Sequence, residues 1–499
     1  MIGMRVILAV GILFLFSLPA NAQTTLYVNA TTGNDSVSRA NNSANTPWRS
    51  IGRAAWGSTN RGAPNPGEAA QAGDTVNIAG GTYSYDGSTI NNRWGVVYNP
   101  ANQGSQGNFI TFVCVGDCTL TAPTADAPVI GASGRNYIKW FADISQGNSW
   151  VIRGCGRQSG CSQNTVNTPP DVGPVVCHNN TGCWVEGAVV DGGPGIDVVQ
   201  NYNAFRLETC TNCVIRNNVA SNFTRDQVAG DTNHNQSIFT LYGVQNSLIE
   251  HNVGTNAGAG VYFKDTGTMR PQFGNIVRFN KFDRVLETIA FSLENEDRNY
   301  VYQNVGTNGR VGLAVVFGGL SNDWVFNNTF YRMSLASISL NSNGSGGRFW
   351  NNICVECATG VYAVGGPMVG ESVLDLEHNV YHSFANFYTG TDGNRNLSGF
   401  RNTYRDQEQA APASVDANPA FVNAGAGDFR LCTGAGAPAA SCGGTSPVLN
   451  IGVDLHDLDR DGSISDTIPA GAFINNNEVI GLTTAMPSAP SNFRVTRTP

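Results

Sequence analysis

Tyr300-Val301-Tyr302-Gln303-Asn304-Val305, Trp324-Val325-Phe326-Asn327-Asn328-Thr329 and Arg348-Phe349-Trp350-Asn351-Asn352-Ile353 are three versions of one phrase. Each opens on β-branched or aromatic residues, passes through a polar residue to Asn, and resumes with an apolar or β-branched residue. Asn304, Asn328 and Asn352 stand 24 residues apart. Working outward, the phrase recurs around Asn280, Asn252 and Asn218 at steps of 24, 28 and 34 residues, and around Asn379 at a step of 27. A near-constant period of this size signals a solenoid, in which each repeat buries its apolar side against its neighbours.

The asparagine has a physical reason to recur. A coil must turn sharply between two short strands, and Asn tolerates the left-handed or bridge backbone of such a turn. Its amide both donates and accepts, so stacked side chains can bond one another and buried turn backbone. His251 and His378 sit beside the Asn in their repeats and are read as structural for that reason.

A second strand precedes each Asn by about a dozen residues. It reads Phe205-Arg206-Leu207-Glu208, Phe239-Thr240-Leu241-Tyr242, Val261-Tyr262-Phe263-Lys264, Phe291-Ser292-Leu293-Glu294, Val315-Val316-Phe317-Gly318 and Ile338-Ser339-Leu340-Asn341. Alternation places the apolar member inside and its neighbour outside. Shorter coils are expected over Tyr137–Ile144, Trp150–Gly154 and Trp184–Val190.

The phrase resembles the asparagine ladder of pectate-lyase-like β-helices. The resemblance implies an all-β chain folded as a right-handed parallel β-helix, with three short strands per coil of about 24 residues and caps at both ends. Leu26-Tyr27-Val28-Asn29, Pro47-Trp48-Arg49-Ser50-Ile51 and Gly73-Asp74-Thr75-Val76 resemble the opening of secreted β-helix proteins. Thr46-Pro47 before an alanine-containing run suggests a short capping helix with Pro in its first turn. The expected organisation is a signal peptide over 1–22, an N-terminal cap and first coils over 23–100, and the β-helix over 101–400. C-terminal coils and cap follow over 401–481, then a tail over 482–499.

Export is read from the first residues and the cysteines. Arg5, the apolar run Val6 to Leu18 and Ala20-Asn21-Ala22 form a signal peptide with a cleavage site before Gln23, leaving no transmembrane segment in the mature chain. The 12 cysteines fall into close pairs: Cys114/Cys118, Cys155/Cys161, Cys177/Cys183, Cys210/Cys213, Cys354/Cys357 and Cys432/Cys442. Local disulfides in a secreted protein are the expected reading. Zinc shared between the pairs at 210 and 354 is disfavoured, because five coils at about 4.8 Å separate them by roughly 24 Å. The net charge of −8 argues against nucleic acid and says little about a neutral glycan; a polysaccharide is the partner that the resemblance implies. The repeat says nothing about oligomeric state.

Chemistry is sought where the period breaks. The 34-residue step inserts residues between Ser221 and Gln236, and the 28-residue step inserts them between Asp265 and Asn275. Both flank the strand face carrying Arg206, Glu208, Thr240, Tyr242, Tyr262, Lys264, Ser292 and Glu294, with Asp226, Asp231 and His234 in the adjoining loop. Insertions in a solenoid collect on its working face. Aromatic rings stack on sugars, and charged groups fix hydroxyls or uronates. Tyr262, Asp231 and His234 are read as substrate-binding. Lyases of this fold remove the proton next to a uronate carboxylate with a Lys or Arg, so the resemblance implies Lys264 as base, with Arg206, Tyr242 and Glu294 around it. A base must lose its proton near working pH, which Arg206 would favour and Glu294 would oppose.

Other signatures are missing. The sequence has no Asn-Thr-Asp, Asp-Asp and Gly-His-Gly set as in polygalacturonases, no Arg-x-Pro-x-x-Arg of the main pectate lyases and no Leu-Thr-Leu-Arg-His-Gly of chondroitinase-B-like lyases. Asp454-Leu455-His456-Asp457 faintly resembles the Asp-Pro-His-Asp motif of alginate epimerases but lies in the expected C-terminal cap. Asp457-Leu458-Asp459-Arg460-Asp461-Gly462-Ser463-Ile464 follows a calcium-loop pattern, without the closing Glu, for which Asp466 is the substitute. The expectation is a secreted carbohydrate-active β-helix, a polysaccharide lyase on an acidic glycan, with Ca2+ held by Asp457, Asp459, Asp461 and Asp466. The alternative is a non-catalytic surface or glycan-binding β-helix.

Overall fold

The computed structural model describes residues 23–85, 94–121, 128–153, 173–193, 202–223, 236–264, 270–292, 296–316, 320–341, 346–363, 374–405, 407–455, 458, 466–474 and 478–483. The segment read as a signal peptide lies outside them.

Short strands stack in parallel into three faces of a right-handed parallel β-helix. The coil around Asn252 shows the order. Ser237–Tyr242 lies on the first face, Leu248–Glu250 on the second, and Val253–Lys264 begins on the third and rounds the corner to the first face of the next coil. Pairing joins equivalent strands of successive coils: Phe239 with Val261, Ile249 with Val277, Val253 with Lys281. Inward residues form one continuous core, in which Phe263 stacks on Phe291 at 4.5 Å and Phe205 on Phe239 at 5.1 Å.

The asparagine ladder runs along the corner between the second and third faces. Asn304 Oδ1 accepts from the backbone N–H of Asn280 at 3.0 Å and from its Nδ2 at 2.9 Å. Asn304 Nδ2 donates to Asn328 Oδ1, Val277 O and Tyr302 O, each at 3.0 Å. The rung repeats from Asn218 to Asn379, whose own N–H donates to Ser414 Oγ at 2.7 Å and whose Nδ2 faces the buried Glu408 carboxylate. One expectation is corrected. The left-handed residue is the one before each ladder Asn: Asn217, His251, Phe279, Gln303, Asn327, Asn351 and His378, all with φ between 50° and 59°. Asn fills three of these seven positions, and His, Gln and Phe fill the rest, so the turn does not require Asn at its strained position. The ladder bonds hold the strain, and even Phe is carried there.

A second ladder lies at the corner between the first and second faces. Ser247 Oγ accepts from Cys213 N, Asn275 Oδ1 from Ser247 N, Asn299 Oδ1 from Asn275 Nδ2 at 2.8 Å, and Asp323 Oδ1 from Asn299 Nδ2 at 2.8 Å. It ends on a carboxyl group with no solvent exposure, and burial raises the Asp323 pKa to about 7.

At the N-terminal end the capping helix is Ile51–Trp56, with Ser50 as its N-cap accepting from Arg53 N at 3.1 Å. Pro47 lies before the helix in extended chain, where its carbonyl accepts from Asn34 N, so it is not the first-turn residue expected. At the other end Leu397–Thr403 lays Phe400 against Phe387 at 4.8 Å and closes the core.

The chain then turns back. The antiparallel pair Phe421–Asn423 and Asp428–Leu431 packs on the outward side of the third face, where Phe429 meets Tyr331 at 5.3 Å. Beyond it the chain follows the asparagine-ladder corner in reverse coil order. Val453 bonds Asn351, Pro469 accepts from Asn327, and Ala472 N donates to Thr329 Oγ1. Glu478 accepts from Gln303 at 2.6 Å, Gly481 O meets His251 Nδ1 at 3.2 Å, and Thr483 N donates to Asn217 Oδ1 at 3.1 Å. Much of the region read as coils and cap is thus a return strap.

Disulfides join Cys114–Cys118, Cys177–Cys183, Cys354–Cys357 and Cys432–Cys442. Cys155 and Cys161 lie outside the described residues. Cys210 and Cys213 are buried thiols, contrary to the expected bridge, with Cys213 Sγ directed at Asn180 Oδ1 at 3.5 Å and burial raising the Cys210 pKa. The disulfides are compatible with an oxidising compartment. No helix among the described residues is long and apolar enough to cross a membrane.

Candidate functional site

Strand pairing sets the outward rows of the first face. Arg206 stands beside Thr240 and Tyr262 on successive coils, and Glu208 beside Tyr242. Leu241 pairs with Phe263, which puts Tyr242 next to Lys264, and Lys264 pairs with Ser292. The two-residue slip in the sequence phrase therefore falls between the Lys264 coil and the next, and the outward parity of Arg206, Glu208, Tyr242, Lys264 and Ser292 holds. Glu294, Asp226, Asp231 and His234 lie outside the described residues.

The structure gathers Arg206, Glu208, Tyr242, Tyr262 and Lys264 into one cluster. Arg206 donates to Glu208 Oε2 through Nε at 3.0 Å and through an Nη at 2.7 Å. Its guanidinium lies 4.2 Å from the Tyr242 ring centre. Lys264 Nζ is 5.8 Å from the same ring and 5.4 Å from that of Tyr262. Two cations, one from the coil on either side of Tyr242, thus share its ring, an arrangement favoured by the ring quadrupole.

Two members were missed from sequence. Trp94 stacks on His178 at 4.2 Å, and the Arg206 guanidinium lies 5.2 Å from the Trp94 ring. His178 pairs with Glu208 one coil earlier, and its Nδ1 is 3.1 Å from Ser133 Oγ. The signal was present, since Val175-Val176-Cys177-His178 alternates like the strands after it. Trp94 carries no such signal.

The cluster is not an open cleft. Arg206, Glu208 and Tyr242 are only 3–4% exposed, and Tyr262 is 1% exposed, while Lys264, His178 and Trp94 are half-buried. A concavity of about 620 Å³ lies elsewhere, at the corner between the third and first faces, bordered by Phe384 and the Arg332–Glu356 ion pair.

Of the calcium-loop residues, Asp457, Asp459 and Asp461 lie outside the described residues. Asp466 is described. Its backbone oxygen accepts from Asp454 N at 2.9 Å, and its Oδ1 is buried with no hydrogen-bond partner among the described residues. Among the described residues no group of three or more metal-binding side chains assembles.

No protein-family model matches the chain, and no curated protein does. Solved structures do. The chain is similar to XylC solved with xylose, at 10% identity and a TM-score of 0.42, covering 75% of this chain and 85% of that one. It is similar to an exopolygalacturonase from Thermotoga maritima, at 11% identity and a TM-score of 0.45, covering 63% of this chain and 81% of the other. It is also similar to the tailspike of the E. coli bacteriophage HK620 in complex with a hexasaccharide, at 14% identity and a TM-score of 0.40, covering 64% and 60%. By its own strand pairing the chain is a right-handed parallel β-helix. That fold carries many activities, so function is argued from the side chains of this chain.

Proposed function

We propose that the protein acts on an acidic polysaccharide laid across the first face and cleaves it by β-elimination, with Lys264 as the base. The observation that carries this is the pair of cations, Arg206 and Lys264, around the Tyr242 ring. In the reaction a proton leaves the carbon next to the uronate carboxylate. The C–H electron pair forms the new double bond to the adjacent carbon, which expels the glycosidic oxygen, and that oxygen takes up a proton from water. Lys264 is half-buried, unlike Arg206, Glu208, Tyr242 and Tyr262, so it meets the substrate and takes the proton in its neutral form. Arg206 and Tyr242 lie buried behind it and act as positioning residues, with Glu208 holding the guanidinium in place. Incubation with pectate, alginate and glycosaminoglycans, followed by absorbance of the unsaturated product, tests this. Wild type forms product on at least one, and Lys264→Ala forms none at an unchanged melting temperature. Silence on every acidic glycan, with and without calcium, rejects the lyase reading.

A specific observation favours a second reading, a surface or glycan-binding β-helix without turnover: Arg206, Glu208 and Tyr242 are buried and satisfy one another. Binding on a glycan array that survives Lys264→Ala, with no product from any glycan, selects it.

Calcium in the Asp-rich loop is a separate proposal, supported by the unpartnered Asp466 Oδ1. Asp457, Asp459, Asp461 and Asp466 would supply oxygens to a structural ion. Chelator then lowers the melting temperature, and Asp459→Ala removes the difference. An unchanged melt in excess chelator leaves a polar turn.

A further inference from the structure

The outward surfaces of the three faces differ. The first carries the buried cluster described above, and the third is packed against the returning chain. The second keeps large side chains in solvent contact. Along one row of that face Tyr300 pairs with Trp324, Trp324 with Arg348, and Arg348 with Asp375, one per coil, and all four are half-buried. Two residues along each strand lies a parallel row that includes Tyr302, Phe326 and the half-buried Trp350.

These side chains are pinned. The Arg348 guanidinium lies 4.4 Å from the Trp324 ring and 5.1 Å from the Trp350 ring. Trp350 Nε1 donates to Asp375 Oδ2 at 3.1 Å. Tyr300 meets Trp324 edge to face at 5.8 Å, and Tyr302 stacks on Phe326 at 4.9 Å. Arg278 donates to Tyr302 OH at 3.1 Å while bound to Glu250 at 2.9 Å. Rings held by their neighbours lose little freedom when a ligand arrives.

We propose that this row, Tyr300 to Asp375, is a binding site for a neutral, extended polysaccharide lying along the helix axis. Three features of the row select that ligand. First, two rings, Tyr300 and Trp324, are followed by two polar heads, Arg348 and Asp375, with the Trp350 ring beside them, which suits a sugar with an apolar ring face and a hydroxyl rim better than a lipid or an apolar helix. Second, the row carries one cation, Arg348, and one carboxylate, Asp375, and Arg278 beside it is answered by Glu250. A surplus of positive charge for an acidic glycan or anionic membrane is therefore missing, in contrast to the first face with Arg206 and Lys264. Third, coils repeat at about 4.8 Å, so the four positions span roughly 14 Å. That repeat is close to the length of one pyranose in an extended β-linked chain, so successive sugars meet successive coils. The site is independent of the first face and stands whether or not that face is catalytic.

The probes are cellohexaose, mannohexaose and xylohexaose, titrated into the full chain by calorimetry and tryptophan fluorescence, with oligogalacturonate as the acidic control. Wild type binds at least one neutral hexasaccharide and quenches or shifts tryptophan emission. Trp324→Ala weakens that binding about tenfold, by loss of one stacking ring. Arg348→Ala weakens it as well, and Lys264→Ala leaves it unchanged. Product formation from acidic glycans, if the first face supplies it, is unaffected by Trp324→Ala. The proposal is overturned if no neutral hexasaccharide binds, or if Trp324→Ala binds like wild type. Should Trp324→Ala fail to fold, Arg348→Ala decides, and unchanged affinity in that variant overturns it. Loss of neutral-sugar binding in Lys264→Ala also overturns it, by moving the site to the first face.

Discussion

Two polar ladders cross the same coils, one at each end of the second-face strands, and they are built differently. The ladder at the second-to-third corner is asparagine on every rung from Asn218 to Asn379, and the return strap lies over the strained residues beside it. The ladder at the first-to-second corner mixes Ser247, Asn275, Asn299 and Asp323 and ends on a buried carboxyl. An amide can donate to one neighbour and accept from the other, so an all-Asn column continues for as long as coils are added. Both Asp323 oxygens accept, from Asn299 Nδ2 and Ser321 N, and the next coil places Gly347 at this position, with no side chain to continue the column. The uniform ladder propagates the coil, and the mixed one ends where the sequence ends it.

The sharpest way to break this contrast is in the uniform ladder. Asn304→Leu removes the acceptor for two Asn280 donors and leaves Val277 O and Tyr302 O without their donor. At about 1–3 kcal/mol per stranded group, the variant is expected to lose most of its stability. Urea unfolding of the purified protein measures it. A wild-type midpoint would show that the rungs are not coupled.

The strap is tested at Gly471, which has φ +88°, where a side chain would meet Ile353 Cδ1 at 2.6 Å and Thr329 Oγ1 at 2.9 Å. Gly471→Val is expected to cost about 1–3 kcal/mol and to expose the C-terminal segment to limited proteolysis while the coils stay intact. Equal cleavage in wild type and variant would mean the strap does not depend on this contact.

A smaller effect separates the ladders by pH. The folded pKa of Asp323, about 7, lies above its unfolded value near 4. The folded chain therefore holds a proton that the unfolded chain releases. This contribution is complete below about pH 4 and is lost as pH rises through about 7. Glu377, also raised by burial to about 7, acts in the same direction. Asp323→Asn cannot titrate, but its amide no longer accepts from Ser321 N. It is expected to melt below wild type at about pH 5, with the gap narrowing toward about pH 9. Parallel melting curves across that range would place Asp323 outside the pH response.

Ser292→Ala, on the outward but buried row of the coil that holds Asn304, is expected to cost no more than about 1 kcal/mol, well below Asn304→Leu. A loss comparable to Asn304→Leu would mean that the outward rows of the first face carry the fold as much as the ladder does.

The uniform ladder was legible in the sequence because a single residue type recurs at a nearly fixed step. The mixed ladder was not, although Asn275, Asn299 and Asp323 also stand 24 residues apart, because the rungs change identity and Asp323 looks like an ordinary turn residue. Alternation along the strands gave Arg206, Glu208, Tyr242, Tyr262 and Lys264 the correct side of the first face, and the structure adds that most of them are buried. Burial of an outward side chain depends on what other parts of the chain lie over it, and a local period carries no information about that. Trp94 and the strap escaped for the same reason. The bond from Thr483 to Asn217 joins residues 266 apart, with no repeat to announce it.

That last contact changes how such a stack can come apart. A solenoid whose coils touch only their neighbours can fray from either end, one coil at a time, and its stability is a running sum. Here the chain's last described residues are stitched to a coil near the middle, with further stitches at the coils of His251, Gln303 and Asn351. Fraying from the C-terminal end must first unpick the strap from coils that are themselves still folded. The linear array is thereby closed into a cooperative unit, and the bond to Asn217 cannot form until the chain has emerged as far as Thr483.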